Sequence, residues 1–287
     1  MIKRILLIAL ATLFLAGCSG TTFVYNRLHI LLPWMLGSYV DLDSGQKAYL
    51  KEELGPFLYW HRMEELPSYI EIIDKMESSL DGTVQTEDMS GIVRDFELAW
   101  ARIEGRGLEL MMGLGEQLSD EQMADFLDSL DEEQAEYHDK YLDRSEEEYY
   151  EDAYENFVDS AQDFMGRLSK EQKAGIRAGT AQMRRSDFIW VEERRAWNER
   201  LAEILAREPG WQQELREAVA SRERDISPDY RETYLHNSQV LQQTLVDLLN
   251  SRSESQDKRL RRKLNDYRRD FQELVEQGAD KAPAKSA

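Results

Sequence analysis

Residues that interrupt helices are scarce in this chain, which has six prolines and sixteen glycines among 287 residues. No long stretch alternates apolar and polar residues with the period of two that marks a half-buried strand. Both absences argue against a β-sheet. Apolar residues make up 41% of the chain, which is enough to build a sizeable core. The sequence therefore predicts an all-α fold, an elongated bundle of about seven to nine helices without a sheet.

Cysteine and positive charge are also in short supply. Cys18 is the one cysteine, so no disulfide can form within the chain. The 56 acidic residues outnumber the 36 basic ones, giving a net charge of −20. Such a surplus repels phosphates and excludes nucleic acid as a partner. The stretch 116–159 holds 18 acids against Lys140 and Arg144, and we expect it to face away from a phosphate-rich membrane surface.

Spacings that carry catalytic or metal chemistry are missing. The four histidines, His29, His61, His138 and His236, are far apart, and none belongs to a zinc or di-iron motif. No P-loop, nucleophile elbow or dinucleotide-binding glycine motif occurs. The sequence therefore predicts no catalytic residue, no metal site and no cofactor, and favours a non-enzymatic protein. The alternatives are an enzyme whose acidic site is assembled from distant helices, with an acid beside His61 or His138, and a purely structural envelope protein.

Two acidic segments invite comparison with cation sites. Asp41–Gly45 followed by Glu52 resembles a calcium loop, but glycine stands at the fifth position where the loop needs it at the sixth. Helix capping explains these residues better. The run Glu146–Asp152 and the neighbouring tyrosines indicate a solvated helix face above core and rim aromatics.

The N-terminus has the order of a signal peptide. Lys3 and Arg4 precede an apolar stretch, Ile5–Ala16, that is too short to span a bilayer. Residues 1–17 are therefore predicted to be a signal peptide. Their removal would take away two basic residues and no acid, leaving a net charge of −22.

The end of this segment, Leu15, Ala16, Gly17 and Cys18, resembles the lipobox of bacterial lipoproteins. The resemblance implies cleavage before Cys18 and acyl chains on that cysteine, which hold the protein on a membrane. The residue after the cysteine is Ser19 rather than aspartate. By the same resemblance, this implies sorting to the periplasmic face of the outer membrane in a Gram-negative bacterium.

Residues 18–40 form the most apolar part of the remaining chain. A flexible polar tether between the lipid and the folded domain would be expected at this place. We expect Pro33 to break a short helix here. One interpretation packs the segment onto the helical core. The other places Tyr25, Leu32, Trp34 and Met35 in the lipid headgroup layer.

Repeated helix-start signals organise the rest of the chain. Asp or Ser followed three residues later by Gln predicts a capping box at Asp43–Gln46, Ser119–Gln122, Ser169–Gln172 and Ser253–Gln256. Apolar stripes at helical spacing follow these starts. We assign residues 41–277 to one helical domain and 278–287 to a disordered tail. In one interpretation the helical domain has two lobes that share long helices.

Two resemblances complete the sequence evidence. Tyr25–Leu28, Leu32–Trp34 and Tyr39–Asp43 with Gln46, directly after a lipobox, resemble the opening of an uncharacterised family of proteobacterial lipoproteins. That resemblance implies no activity or site residues. Leu118–Gln122 and Leu168–Gln172 are similar to the Leu-Thr-x-x-Gln motif of Spy-like periplasmic chaperones, which implies chaperone-like binding of envelope proteins. Here serine replaces the threonine of that motif.

Overall fold

The computed structural model describes residues 20–279, and most of them lie in helices. Helix accounts for 83% of the structure, and residues 20–279 contain no β-strand. This confirms the all-α prediction. Counting the uninterrupted stretch from Ser44 to Ser79 as one helix, this range has eleven helices, somewhat more than the seven to nine expected.

The helices are numbered in chain order. They are α1 (Gly20–Tyr25), α2 (Leu28–Leu36), α3 (Ser44–Trp60), α4 (Leu66–Ser79), α5 (Thr86–Gly115), α6 (Asp120–Tyr141), α7 (Glu146–Met165), α8 (Lys170–Thr180), α9 (Asp187–Ile204), α10 (Trp211–Asp225), α11 (Pro228–Asn250) and α12 (Glu254–Ala279). A π-helical turn, His61–Glu65, joins α3 to α4. No helix within the described range has the length and apolar character needed to cross a membrane.

The chain divides into two compact units. Among the described residues, the first unit holds 20–36, Asp43–Leu110 and 253–279, and the second holds Gly37–Leu42 and Met111–Arg252. Helices α1 and α2 therefore belong to the first unit.

The core of the first unit lies between α4 and α12. The apolar stripe predicted for the last helix is buried, at Leu260, Leu264, Tyr267, Phe271 and Leu274. Tyr69 of α4 packs against it, with its ring centroid 6.0 Å from that of Phe271. Because each such side chain contributes about 1.5–3 kcal/mol when buried, this stripe supplies much of what holds α12 in place.

The second unit is built from helix pairs, with α8 packed on α7 and α11, and α9 on α6. Glycine sets the closest approach between α8 and α11. A Cβ atom added to Gly179 would lie 2.1 Å from the hydroxyl oxygen of Thr244, so no larger side chain fits there without a shift of the helices. Gly175, one turn earlier on α8, has open space around it.

All four predicted capping boxes are confirmed. In each, the Asp or Ser side chain accepts from the N3 backbone N–H, and the Gln side chain accepts from the cap N–H. Each box satisfies two of the free N–H groups of a first helical turn. A fifth box, which the sequence analysis does not predict, begins α7 and pairs Ser145 with a glutamate, Glu148, in place of glutamine.

Pro33 does not break a helix, contrary to the prediction. Pro33 lies inside α2, and the break falls at Asn26–Arg27; Pro56 likewise lies inside α3. The carbonyls that lose an N–H partner belong to His29 and Glu52, whose side chains are exposed, so water can satisfy them. Pro67, by contrast, lies in the first turn of α4, where a backbone N–H has no partner within the helix.

Helix α12 continues through Ala279, past the predicted start of the tail at Gly278. Gly278 is buried because α12 approaches the π-helical turn closely there. An added Cβ would lie 2.6 Å from Cδ of Arg62 and 2.7 Å from Sδ of Met63. Residues 280–287 lie outside the described residues.

Candidate functional site

Helix α1 is docked onto the first unit by buried polar contacts. Thr21 and Asp270 are both buried, and the Thr21 side chain is hydrogen-bonded to the Asp270 carboxyl. At the end of α1, Tyr25 is only 2% exposed and its hydroxyl lies 2.9 Å from Nδ1 of His61. The segment next to the predicted lipid site is therefore fixed to a folded body, and Tyr25 cannot reach a headgroup layer.

A third contact follows directly after α1. Asn26 accepts a 2.9 Å hydrogen bond from Nη2 of Arg62 through Oδ1, and its Nδ2 donates to Oε1 of Gln277 at 3.0 Å. The Arg62 guanidinium also lies over the Tyr25 ring, 5.0 Å from its centroid. The turn between α1 and α2 is thus held by side chains from both the π-helical turn and α12.

His61 stands at the centre of this docking site. Its Nδ1 is bonded to Tyr25 and its Nε2 lies 3.2 Å from the hydroxyl of Tyr69. A neutral imidazole has one donor and one acceptor nitrogen, which suits two hydroxyl partners. Burial, reinforced by the charge of Arg62, lowers the pKa of His61 to about 4. The ring is therefore neutral near pH 7 and is enclosed by tyrosines, away from any carboxylate partner for acid–base chemistry.

The same burial affects the tyrosines. Desolvation raises the pKa of Tyr25 above its usual value of 10, and it raises the pKa of Tyr69 with help from the nearby charge of Glu65. Both hydroxyls therefore stay protonated and act as hydrogen-bonding groups.

The π-helical turn positions these groups. The N–H of Leu66 bonds to the carbonyl of His61, five residues back, and Pro67 follows at once. A proline ring would clash with the carbonyl four residues before it in a regular α-helix, so the wider turn relieves that contact. The turn also directs both His61 and Glu65 inward.

Glu65 is buried and forms an ion pair with Arg102. The Arg102 guanidinium of α5 donates to it twice, from Nε to Oε1 and from Nη2 to Oε2, both at 2.7 Å. This two-pronged geometry is the strongest form of such a pair, and the hydrogen bond raises the pKa of Arg102. The pair fixes α5 against the π-helical turn, and removal of Arg102 would leave the buried Glu65 side chain without its partner.

The outer side of α1 and α2 is apolar and exposed. Trp34 is 76% exposed and Ile30 59%, one helical turn apart on α2, and Phe23 of α1 is also exposed. Arg27 lies over the Phe23 ring at 3.3 Å from its centroid. None of the nine residues of α2 is fully buried. We call Phe23, Arg27, Ile30 and Trp34 the N-terminal apolar face.

Of the predicted membrane-interface residues, Trp34 lies on this face. Leu32 and Met35 are half-buried. The assignment of Tyr25 to the interface is wrong, because its hydroxyl found buried partners in His61 and the carbonyl of Leu58. The predicted lipidation residue Cys18 and the lipobox residues Leu15, Ala16 and Gly17 lie outside the described residues.

In the second unit, Arg144, one of the two basic residues in the acidic stretch 116–159, connects helices of that unit. The Arg144 guanidinium donates to buried Asp187 at 3.2 Å and to Asp152 at 2.8 Å, and it lies over the rings of Tyr141 and Tyr149. Arg185 donates to the same Asp187 at 2.9 Å. Tyr149 is buried beneath them. The aromatics of this stretch therefore serve as core and rim, as predicted.

The glutamines of the two Leu-Ser-x-x-Gln motifs have a second role. Beyond capping its helix, Gln122 donates from Nε2 to the carbonyl of Asp41 at 2.6 Å, and Gln172 donates to the carbonyl of Ser251 at 3.2 Å. Both contacts attach a distant loop to a helix start within the second unit. The motif is therefore accounted for by capping and packing.

The remaining histidines stand apart from carboxylate clusters. His138 is exposed, with only the adjacent Asp139 at 3.4 Å, and Nε2 of His236 lies 2.8 Å from the carbonyl of Gln182. Asp43 of the calcium-like segment caps α3. Over residues 20–279, no three His, Cys, Asp or Glu side chains are placed to hold a metal ion.

A second exposed apolar patch lies on α11. Tyr234 and Leu235 are each about half exposed, at 51% and 53%, and the Tyr234 ring stacks on Tyr230 at 6.3 Å with an angle of 14° between the planes. Glu232 beside them is paired with Arg184 at 2.6 Å. Stacked tyrosines beside an aliphatic side chain, rimmed by charge, have the composition of protein-binding surfaces.

Fold and site together define an all-helical protein whose N-terminal helix is docked by buried polar side chains. The chain belongs to a family of unknown function, DUF6279, whose model matches residues 38–231. The match covers most of the chain and starts after α2. No curated protein and no solved structure matches the chain significantly.

Proposed function

We propose that this chain is a lipid-anchored, non-enzymatic protein at the periplasmic face of a Gram-negative outer membrane. There it binds other envelope proteins as an assembly accessory or chaperone-like factor. The observation that carries the proposal is the docking of α1. A lipid on Cys18 would stand two residues before Gly20, so the helical body is held next to the bilayer rather than on a long tether.

The α11 patch supports a protein partner. Tyr234 and Leu235 are exposed and Tyr230 stacks on Tyr234, and aromatic side chains contribute large contact area at low entropic cost. The net charge of −20 favours partners with basic surfaces.

The enzyme alternative requires an acid beside His61 or His138, or acids converging in a pocket. His61 has tyrosine hydroxyls on both ring nitrogens, and buried Glu65 is occupied by Arg102. These contacts favour the binding role over the alternative.

Photocrosslinking in intact cells tests the proposal. A photoreactive amino acid replaces Leu235 in the full chain, and a control chain carries it at Asp247, which is exposed on the same helix about 18 Å further along. We expect discrete adducts with envelope proteins from position 235 and at least tenfold fewer from position 247. Equal or absent adducts at both positions would contradict the α11 patch as a binding surface and favour a purely structural role.

A further inference from the structure

The N-terminal apolar face has a composition that differs from the rest of the chain. Residues 18–40 contain no aspartate or glutamate, although acids make up 56 of the 287 residues. Arg27 is the one Lys or Arg in that segment. A surface with this charge is not repelled by the anionic phosphates of a bilayer, whereas the acidic stretch is.

Its side chains are those that favour the membrane–water interface. Trp34 combines a large apolar ring with an N–H group that can reach water or headgroups, which is why tryptophan concentrates in interfacial belts. Ile30 lies one turn away, and Phe23 carries Arg27 over its ring, so an apolar ring and a cation are presented together. Apolar side chains with an adjacent cation are typical of helices that lie in the interface.

The position of the predicted lipid indicates that the bilayer itself contacts the N-terminal apolar face. Gly20 is two positions after Cys18 in the sequence, a reach of at most about 7 Å. Trp34 is fourteen helical or turn residues further on, about 21 Å at the rise of a straight helix. The whole face therefore lies within about 30 Å of the acyl chains, and α1 is fixed to the first unit by Tyr25 and Thr21.

We propose that Phe23, Arg27, Ile30 and Trp34 insert into the headgroup layer of the bilayer that holds the lipid, with Arg27 beside a lipid phosphate. The inference rests on the proposed anchor and adds a second attachment to it. The acyl chains supply affinity, and this face fixes the orientation of the first unit against the membrane. Tyr25 of the same helix points the other way, into the body.

Tryptophan quenching by brominated lipid tests this surface. The lipidated chain is placed in vesicles of phosphatidylethanolamine and phosphatidylglycerol at three to one, with or without bromine on the upper acyl carbons. We expect quenching that falls at least twofold in Trp34→Phe. Trp190→Phe is the control, because Trp190 is half-buried in the second unit, and it should keep the wild-type quenching.

A paired charge substitution sharpens the test. Ile30→Glu should lower the quenching of Trp34 at least twofold, because it puts a carboxylate among phosphates. Leu98→Glu makes the same change at a leucine of similar exposure on α5, outside the α11 patch, and should leave the quenching unchanged. Both sites are exposed, so neither variant should impair folding.

The anchor and the face can fail separately. Residues 18–287 retain every described residue, and Cys18 is the one thiol, so this form can be coupled directly to a maleimide-bearing lipid in the same vesicles. If cells add no lipid, the proposed lipid anchor is wrong. The chemically coupled protein still tests whether the N-terminal apolar face contacts the membrane. Equal quenching in the wild type and Trp34→Phe overturns the inference, as does protection of Trp34 from acrylamide without quenching by bromine, which points to a protein covering the face.

Discussion

At the scale of single residues, the hydroxyl of Tyr25 decides which way the N-terminal helix faces. It meets a buried imidazole whose other nitrogen is held by Tyr69. A buried hydroxyl without a partner is costly, so these three side chains are stable only together. Their mutual hydrogen bonding explains why Tyr25 turns inward.

Removal of one hydroxyl measures this network. Tyr25→Phe leaves Nδ1 of His61 buried without its partner, so we expect the free energy of unfolding to fall by about 1–3 kcal/mol. Urea denaturation followed by circular dichroism gives the value. Tyr59→Phe is the control, since Tyr59 is partly exposed on α3; an equal loss in both variants would show that the Tyr25 contact contributes nothing specific.

The neutral state of His61 predicts a dependence on pH. Its pKa is about 4 in the folded protein and 6.5 in the unfolded chain, so the unfolded chain binds the proton first as pH falls. The stabilisation is present above pH 6.5 and is lost toward pH 4. Between pH 7.5 and 5 we expect a loss of about 2 kcal/mol from this group.

Urea unfolding at those two pH values checks the expectation. The loss should shrink by that amount in His61→Gln and persist in His138→Gln, because His138 is exposed. The same pH dependence in wild type and His61→Gln would assign the effect to other groups.

At the scale of elements, local signals were predictable and tertiary ones were not. A capping box involves residues three apart, so Ser119 and Gln122 predicted a helix start without knowledge of the fold. The further bond of Gln122 to Asp41 depends on a loop 81 residues away. The direction of Tyr25 depends likewise on His61, and the buried pair of Glu65 and Arg102 on helices that meet only in the fold.

Close helix packing gives a prediction at this scale. Gly179→Ala should destabilise the protein by about 1–3 kcal/mol, because the new methyl group overlaps Thr244 between α8 and α11. Gly175→Ala, on the exposed side of the same helix, should be neutral or stabilise by up to about 1 kcal/mol through helix propensity. Thermal unfolding of the two variants distinguishes them. A Gly179→Ala protein as stable as Gly175→Ala would contradict the close approach.

At the scale of the whole molecule, the proposed lipid on Cys18 lies close in sequence to a folded helical body. The sequence provides the lipobox resemblance, and the structure adds that residues 21–26 are fastened to the first unit by Thr21, Tyr25 and Asn26. The partner is not encoded in any local motif, because a binding surface is assembled from residues that folding brings to the outside. We propose the exposed α11 patch as such a surface.

The most direct test is the chemical state of Cys18 in protein extracted from the membranes of a Gram-negative host. A lipid anchor predicts an N-terminal peptide that begins at Cys18 and carries the mass of three acyl chains with a glyceryl group. It also predicts that Cys18→Ser loses that mass and leaves the membrane fraction. An unmodified Cys18 in the wild type, or a Cys18→Ser chain that stays equally membrane-bound, would contradict the lipid anchor.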